Sequence, residues 1–153
     1  YGLSWAYLVS CNLFGPRDKF DTEFGHVVPS LIKKFHDAKM NNTDVVVWGD
    51  GSAQRDFMYV KDTARVALAI MKDIEGAANI GSGKVYRIGD MVAMIAEITG
   101  MQDRVVWDRD KPNGQDYRAY DLSKIDSTGF RCKYSIRDGL EETWEWYSRQ
   151  MAK

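Results

Sequence analysis

Ala6-Tyr7-Leu8-Val9-Ser10-Cys11-Asn12-Leu13-Phe14 is almost unbroken in apolar character and stops at Gly15-Pro16. A short apolar run closed by chain breakers reads as a β-strand covered on both faces, as inside a parallel sheet. Residues 17–25 are polar, contain Gly25 and read as a loop. Val28, Leu31, Ile32 and Phe35 then recur at helical spacing behind Pro29, which suits a helix start, and Asn41-Asn42 ends a helix over about residues 27–40. Val45-Val46-Val47-Trp48 reads as a strand closed by the turn Gly49-Asp50-Gly51.

The same alternation continues downstream. Asp62 is a plausible N-cap, with Ala64, Ala67, Leu68, Met71 and Ile74 as the apolar stripe of its helix. Ala78-Asn79-Ile80 is a short strand into Gly81-Ser82-Gly83. Ile88, Met91, Val92, Ile95 and Ile98 line a helix stopped by Gly100. Val105-Val106-Trp107 is a strand before the Lys111–Gly114 turn. Ser135 and Asp138 have capping-box spacing, and Ile136, Leu140, Trp144, Tyr147 and Met151 form the last stripe. The aromatic residues on or beside that stripe are expected to be core. Strands alternating with helices argue an α/β or α+β arrangement.

The chain has 153 residues, enough for one domain with its own core. Its 21 basic and 22 acidic residues give a net charge of −1, which excludes a strongly basic nucleic-acid or membrane-surface binder. No apolar stretch approaches the roughly 18 residues of a membrane span. Cys11 and Cys132 lie far apart in sequence and form no metal-type or disulfide-type pair, so a reducing, cytoplasmic setting is expected. His26 and His36 do not share a helix face, so no metal site is expected. The first residue is Tyr1 rather than Met, which reads as a piece of something longer.

Three segments go beyond generic α/β. They are Asn12-Leu13-Phe14-Gly15-Pro16; Val47-Trp48-Gly49-Asp50-Gly51 followed by Arg55-Asp56-Phe57, Tyr59-Val60 and Asp62; and Asn79-Ile80-Gly81-Ser82-Gly83. In this order they resemble the C-terminal half of extended short-chain dehydrogenases acting on nucleotide sugars. The stretch from Gly25-His26-Val27-Val28-Pro29 to His36, and Arg104-Val105-Val106 with Asp108 and Lys111-Pro112-Asn113-Gly114, narrow the resemblance to GDP-L-fucose synthases. It runs from Tyr1 to about Tyr147.

The resemblance implies an α/β fold: the C-terminal fragment of an extended Rossmann-type enzyme, mainly its small substrate-binding domain plus late Rossmann strands. It implies that residues 1–153 form one substrate-binding unit, without the cofactor-binding half. No Gly-x-x-Gly-x-x-Gly loop is present. Tyr120 and Lys124 have the spacing of the family's catalytic Tyr-x-x-x-Lys, but Tyr120 follows a Pro/Gly turn rather than lying on a helix, and the pair is read as a decoy.

Members of this family convert GDP-4-keto-6-deoxymannose to GDP-L-fucose by proton transfer at C3 and C5 and NADPH reduction at C4. His26 matches the acid/base histidine, and the positive end of the following helix would favour its neutral, basic form. Ser10, Cys11, Asn12 and Leu13, with His26, match the segment beside the nicotinamide of NADP. Lys34, Arg55 and Arg118 match basic positions facing the nucleotide sugar, suited to a pyrophosphate. Trp48 offers a flat face to base or sugar. Asn113 stands where members often have Asp, and Lys34 where many have Arg.

The chain alone is not expected to bind NADP or turn over substrate. Another nucleotide-sugar 4-epimerase or dehydratase, and a binding module without chemistry, remain open. The N-terminal strand is expected to leave an apolar edge through which the chain self-associates.

Overall fold

The computed structural model describes residues 5–22, 25–71 and 73–152. Tyr1 and residues 23 and 24 of the expected loop lie outside the described residues. In chain order the elements are β1 (Ala6–Ser10), β2 (Asn12–Phe14), α1 (Val27–Asn41), β3 (Val45–Trp48), β4 (Gln54–Tyr59), α2 (Val60–Ile70), β5 (Gly76–Ile80), β6 (Val85–Arg87), α3 (Ile88–Thr99), β7 (Val105–Asp108), β8 (Tyr117–Arg118), α4 (Ser123–Asp126) and α5 (Ile136–Met151). Among the described residues no helix is long and apolar enough to cross a membrane.

The strands make three hydrogen-bonded groups. β1 runs parallel to β5, β3 runs parallel to β7, and β4 pairs with β2, β6 and β8. β2 and β8 are parallel to β4, whereas β6 is antiparallel. β4 contributes side chains to both hydrophobic clusters. Side chains alternate along a strand. Phe57 and Tyr59 therefore enter the cluster built on α1, α3 and α5, with Ile32, Phe35, Met91, Ile95 and Leu140. Met58 points the other way, into a smaller cluster with Cys11, Val66, Ile70, Ile80 and Ile125.

The expected single strand over 6–14 is two strands. Cys11 separates β1 from β2, and the chain passes there from a partner in β5 to one in β4. Nor is β1 covered on both faces, since Tyr7 is 61% exposed and Val9 38%. An apolar run reports the tendency to be covered but not the neighbour that does it, and here only Leu8 packs against the smaller cluster.

Two further expectations are corrected. The N-cap of α2 is Tyr59, and Asp62 lies within its first turn. Its buried carboxylate accepts the backbone N–H groups of Lys133 and Tyr134 and pairs with Arg65, tying α2 to the segment before α5. With Asp62 turned inward, the buried face of α2 continues through Val66 and Ile70, leaving Leu68 and Met71 more than 70% exposed. Of the expected stripe, Ile74 is buried, beyond the helix end.

The other helices follow their patterns. α1 stops at Asn42 and α3 at Gly100, both left-handed. Ser135 and Asp138 exchange the two bonds of a capping box at the start of α5. Leu140, Thr143 and Tyr147 form its buried face, while Met151 is exposed. Phe20 stacks on Trp146 and Tyr147, and His36 meets Tyr147 edge-on, so the aromatic residues of α5 hold the 17–22 segment and α1 together.

Candidate functional site

The crossover between β1 and β2 opens a cavity of about 370 Å³. Ser10, Cys11, Asn12 and Leu13 line it, with Gly15–Asp18, His26 and Val60. All the residues matched to the nicotinamide segment thus share one cavity with His26. His26 is the N-cap residue of α1. Its side chain makes no cap bond and is 79% exposed, with Nδ1 3.9 Å from Asp18 Oδ1. Arg17, just before Asp18, has a left-handed backbone (φ 69°), uncommon for a side-chain-bearing residue and frequent where a site dictates the chain path.

Cys11 contributes backbone rather than thiol chemistry. Its N–H donates to the Ile80 carbonyl at 2.9 Å. Burial, reinforced by the nearby Asp56 carboxylate, pushes its thiol far above the usual range.

Lys34 lies eight residues further along α1, about 12 Å at 1.5 Å per residue. Its Nζ donates to the Val46 carbonyl at 3.1 Å and sits 4.8 Å from the centroid of the Trp48 ring. Burial holds the Lys34 amine below its ordinary range, with Asp108 opposing the effect. Lys111 approaches the same ring at 5.8 Å. Trp48 is 48% exposed at the end of β3, so it presents a face at the surface rather than filling the core.

Arg55 and Arg118 are register partners across β4 and β8, so their side chains leave the sheet on the same side. The loop linking β7 to β8 runs beside them and is fastened by Asn113. Its Oδ1 accepts the Asp50 N–H at 2.8 Å, and its Nδ2 donates to Ser52 Oγ at 3.4 Å. Gly49 is left-handed (φ 81°), and a Cβ there would lie 2.0 Å from Asn113 Oδ1, so this turn accepts only glycine. Both polar ends of the Asn113 side chain are therefore engaged within the protein.

Three residues that sequence reading did not single out support this arrangement. Asp18 faces His26, and Lys111 faces Trp48. Asp56, 2% exposed, accepts from Ser82 N, Ser82 Oγ and Gly83 N and holds the Gly81–Gly83 turn against β4. The signal for Asp56 was its place in the quoted Arg55-Asp56-Phe57 motif. Asp18 had no such signal, as one acid in a polar loop, and Lys111, although inside the quoted Lys111–Gly114 motif, meets Trp48 from a distant part of the sequence. Tyr120 precedes α4, off any helix, and Lys124 Nζ donates to the Glu75 and Ala77 carbonyls. Among the described residues no three His, Cys, Asp or Glu side chains gather as metal ligands.

The structure thus groups the candidate residues in three places: the cavity with His26, the Lys34–Trp48 groove, and the Arg55–Arg118 pair. α1 connects the first two, and the fastened 109–116 loop connects the second and third. The model of the NAD dependent epimerase/dehydratase family matches residues 1–89. The chain belongs to this family.

Relatives within it carry the names that the motifs suggest. A probable GDP-L-fucose synthase 1 of Oryza sativa subsp. japonica is 41% identical over 96% of this chain and 46% of its own length. GDP-L-fucose synthase of Escherichia coli is 31% identical over 96% of this chain and 50% of its own. The chain therefore spans about half the length of the curated relatives it matches.

Among solved structures, a GDP-L-fucose synthetase of Naegleria fowleri superposes with a TM-score of 0.88 at 28% identity, over 95% of this chain and 46% of that one. A UDP-N-acetylglucosamine 4-epimerase of Methanobrevibacter ruminantium gives 0.83 at 30% identity, over 99% and 48%. The expected Rossmann-type α/β architecture is what the family and these superpositions share.

Proposed function

We propose that this chain is the nucleotide-sugar-binding part of an NADP-dependent 3,5-epimerase/4-reductase that converts GDP-4-keto-6-deoxymannose to GDP-L-fucose. The observation that carries this reading is the in-register pair Arg55 and Arg118, beside a loop fastened by Asn113. Two guanidinium groups on one side of a sheet suit a pyrophosphate, because each can grip two oxygens through charge-assisted bonds. Lys34 adds a third cation, and Trp48 a flat face for the base or sugar.

His26 is the group that removes and returns protons at C3 and C5. Its exposure at the cavity leaves the ring accessible to a bound sugar. The nicotinamide cofactor supplies hydride for the reduction at C4. The 370 Å³ cavity suits the nicotinamide end of the cofactor, held by Ser10–Leu13 and His26, rather than the whole dinucleotide. The sequence holds no Gly-rich loop for the phosphates, so this chain by itself is not a cofactor-binding unit. The free thiols Cys11 and Cys132 suit a reducing, cytoplasmic setting.

Titration calorimetry of the 153-residue chain with GDP, UDP and dTDP tests the reading. GDP is expected to bind at least about tenfold more tightly than the others, a difference of about 1.4 kcal/mol. Equal affinities would return the chain to the wider class of nucleotide-sugar enzymes, and a preference for UDP would overturn the GDP assignment. Absence of binding to all three would support a module without this chemistry.

A further inference from the structure

The cavity at the β1–β2 crossover brings together a histidine and an acid from different segments. Among the described residues that line it, Asp18 is the one acid and His26 the one imidazole. His26 Nδ1 lies 3.9 Å from Asp18 Oδ1. The imidazole is exposed, whereas the Asp18 side chain keeps only 19% of its surface in solvent. The carboxylate is therefore the fixed member of the pair.

Several contacts hold Asp18 in place. Its N–H donates to the Gly15 carbonyl at 3.3 Å, closing the turn after β2, and Arg17 inside that turn is left-handed. Oδ1 accepts the Lys19 N–H at 2.7 Å. Two residues beyond Asp18, Phe20 stacks on Tyr147 with ring centroids 4.3 Å apart, which anchors the segment to α5. α1, which begins just after His26, meets the same tyrosine through His36 at 5.2 Å. One aromatic ring of α5 thus braces both the segment that carries the acid and the helix that carries the histidine.

A neutral imidazole has one ring proton, and the partner of one nitrogen decides which of the two holds it. Left to itself, the side chain of histidine favours Nε2–H. A carboxylate at Nδ1 favours Nδ1–H instead and leaves the lone pair on Nε2, at the far edge of the ring. An ionised carboxylate offers about four acceptor positions, so the bond from Lys19 leaves it able to accept from the imidazole as well. The 3.9 Å spacing is longer than a hydrogen bond, as is common in an unliganded site whose contacts tighten when the ligand enters.

We propose that Asp18 is a positioning residue: it keeps the proton of neutral His26 on Nδ1, so that Nε2 is the atom that exchanges protons with the sugar. The inference rests on the role given to His26 above. When the C–H bond at C3 or C5 breaks, its proton passes to Nε2 and its electron pair to the 4-keto oxygen, as an enolate. Nδ1 keeps its own proton throughout. Return of the Nε2 proton to carbon restores the neutral ring in the same tautomer. Without Asp18 the ring would present a protonated Nε2, which cannot accept.

Nitrogen-15 NMR of the 153-residue chain, labelled at histidine and held at about pH 9 so that an ordinary imidazole is neutral, reads the tautomer directly. The chain has two histidines, and His26→Gln assigns their signals. Nδ1–H is expected to be the major form at His26. Asp18→Asn keeps an acceptor for the Lys19 N–H but loses the charge, and it should lower the ratio of Nδ1–H to Nε2–H at least about threefold, since a charge-assisted bond is about twice as strong as a neutral one. Unmoved His36 signals show that the fold is kept. An Nε2–H majority in the parent chain, which needs no variant to be seen, would overturn the proposal, and so would an unchanged ratio in Asp18→Asn.

The nucleotide titration is independent of this measurement. An Nδ1–H majority with equal affinities for GDP, UDP and dTDP would keep the pair and change only the substrate class. An Nε2–H majority with the GDP preference intact would strike the pair alone.

Discussion

Replacing Asp56 by alanine should cost this fold about 3 kcal/mol. The carboxylate is 2% exposed and accepts from Ser82 N at 3.0 Å, Ser82 Oγ at 2.6 Å and Gly83 N at 3.2 Å. The Ser82 hydroxyl keeps a second partner in the Lys84 carbonyl at 3.2 Å. The loss therefore falls on the two backbone donors. A hydrogen bond to a charged group contributes about 1.5–3 kcal/mol, and an abandoned donor costs about 1–3 kcal/mol when buried. Ser82 is only half-buried and Gly83 is exposed, so water recovers part of that, and about 3 kcal/mol remains for the pair.

With a urea slope of about 2 kcal/mol per molar, the unfolding midpoint should fall by about 1.5 M. Asp56→Asn keeps one acceptor oxygen and should lose about half as much. Combining Asp56→Ala with Ser82→Ala should cost less than the sum of the two, because they share a bond. Equal losses for alanine and asparagine, or a midpoint within about 0.2 M of the parent, would show that the turn is held by its backbone alone.

Three other outcomes are expected. Arg55→Ala should weaken GDP binding by about 1.5–3 kcal/mol in calorimetry, and an unchanged affinity would return Arg55 to solvated surface. Gly139→Ala should destabilise the chain by about 1–3 kcal/mol in thermal unfolding, although alanine is the better helix former, because its Cβ would lie 2.9 Å from the Phe14 and Tyr59 rings. Burial, with Asp62 and Asp56 nearby, pushes the Cys132 thiol from an ordinary 9.0 up to about 11. The unfolded chain therefore sheds this proton first, and stability should fall as the pH rises from 9 to 11; Cys132→Ser should flatten that fall in urea titrations, and identical slopes would count against the shift.

How much of this could be read from the chain depended on range. The helices α1 and α3, with their Asn and Gly stops, and the capping box of α5 were legible because their signals lie within a few residues. α2 was misread because its decisive residue is polar. Asp62 is buried by donors from Lys133 and Tyr134, about seventy positions away, and this turns Leu68 and Met71 outward. β4 went unseen because its first half, Gln54, Arg55 and Asp56, is polar and leaves only Phe57–Tyr59 as an apolar run, although Arg55 and Asp56 both have partners supplied by other segments.

The site shows the same division. Ser10–Leu13 and His26 share a cavity, as the motif order implied. The engagement of Asn113 with the Gly49–Ser52 turn required the folded chain to be seen. So did the two lysines at the Trp48 ring.

The alternation along β4 restricts how this chain can vary in length. Phe57 and Tyr59 belong to one cluster and Met58 to the other, and both sides are filled. Deleting or inserting a single residue in this strand would exchange the occupants of two interiors at once, and no neighbouring substitution could restore both. Insertions and deletions are therefore tolerable in the 109–116 loop or beyond Met151, and lethal between Gln54 and Tyr59. A library of single-residue deletions selected for folded product should show a gap at that strand, deeper than at any loop.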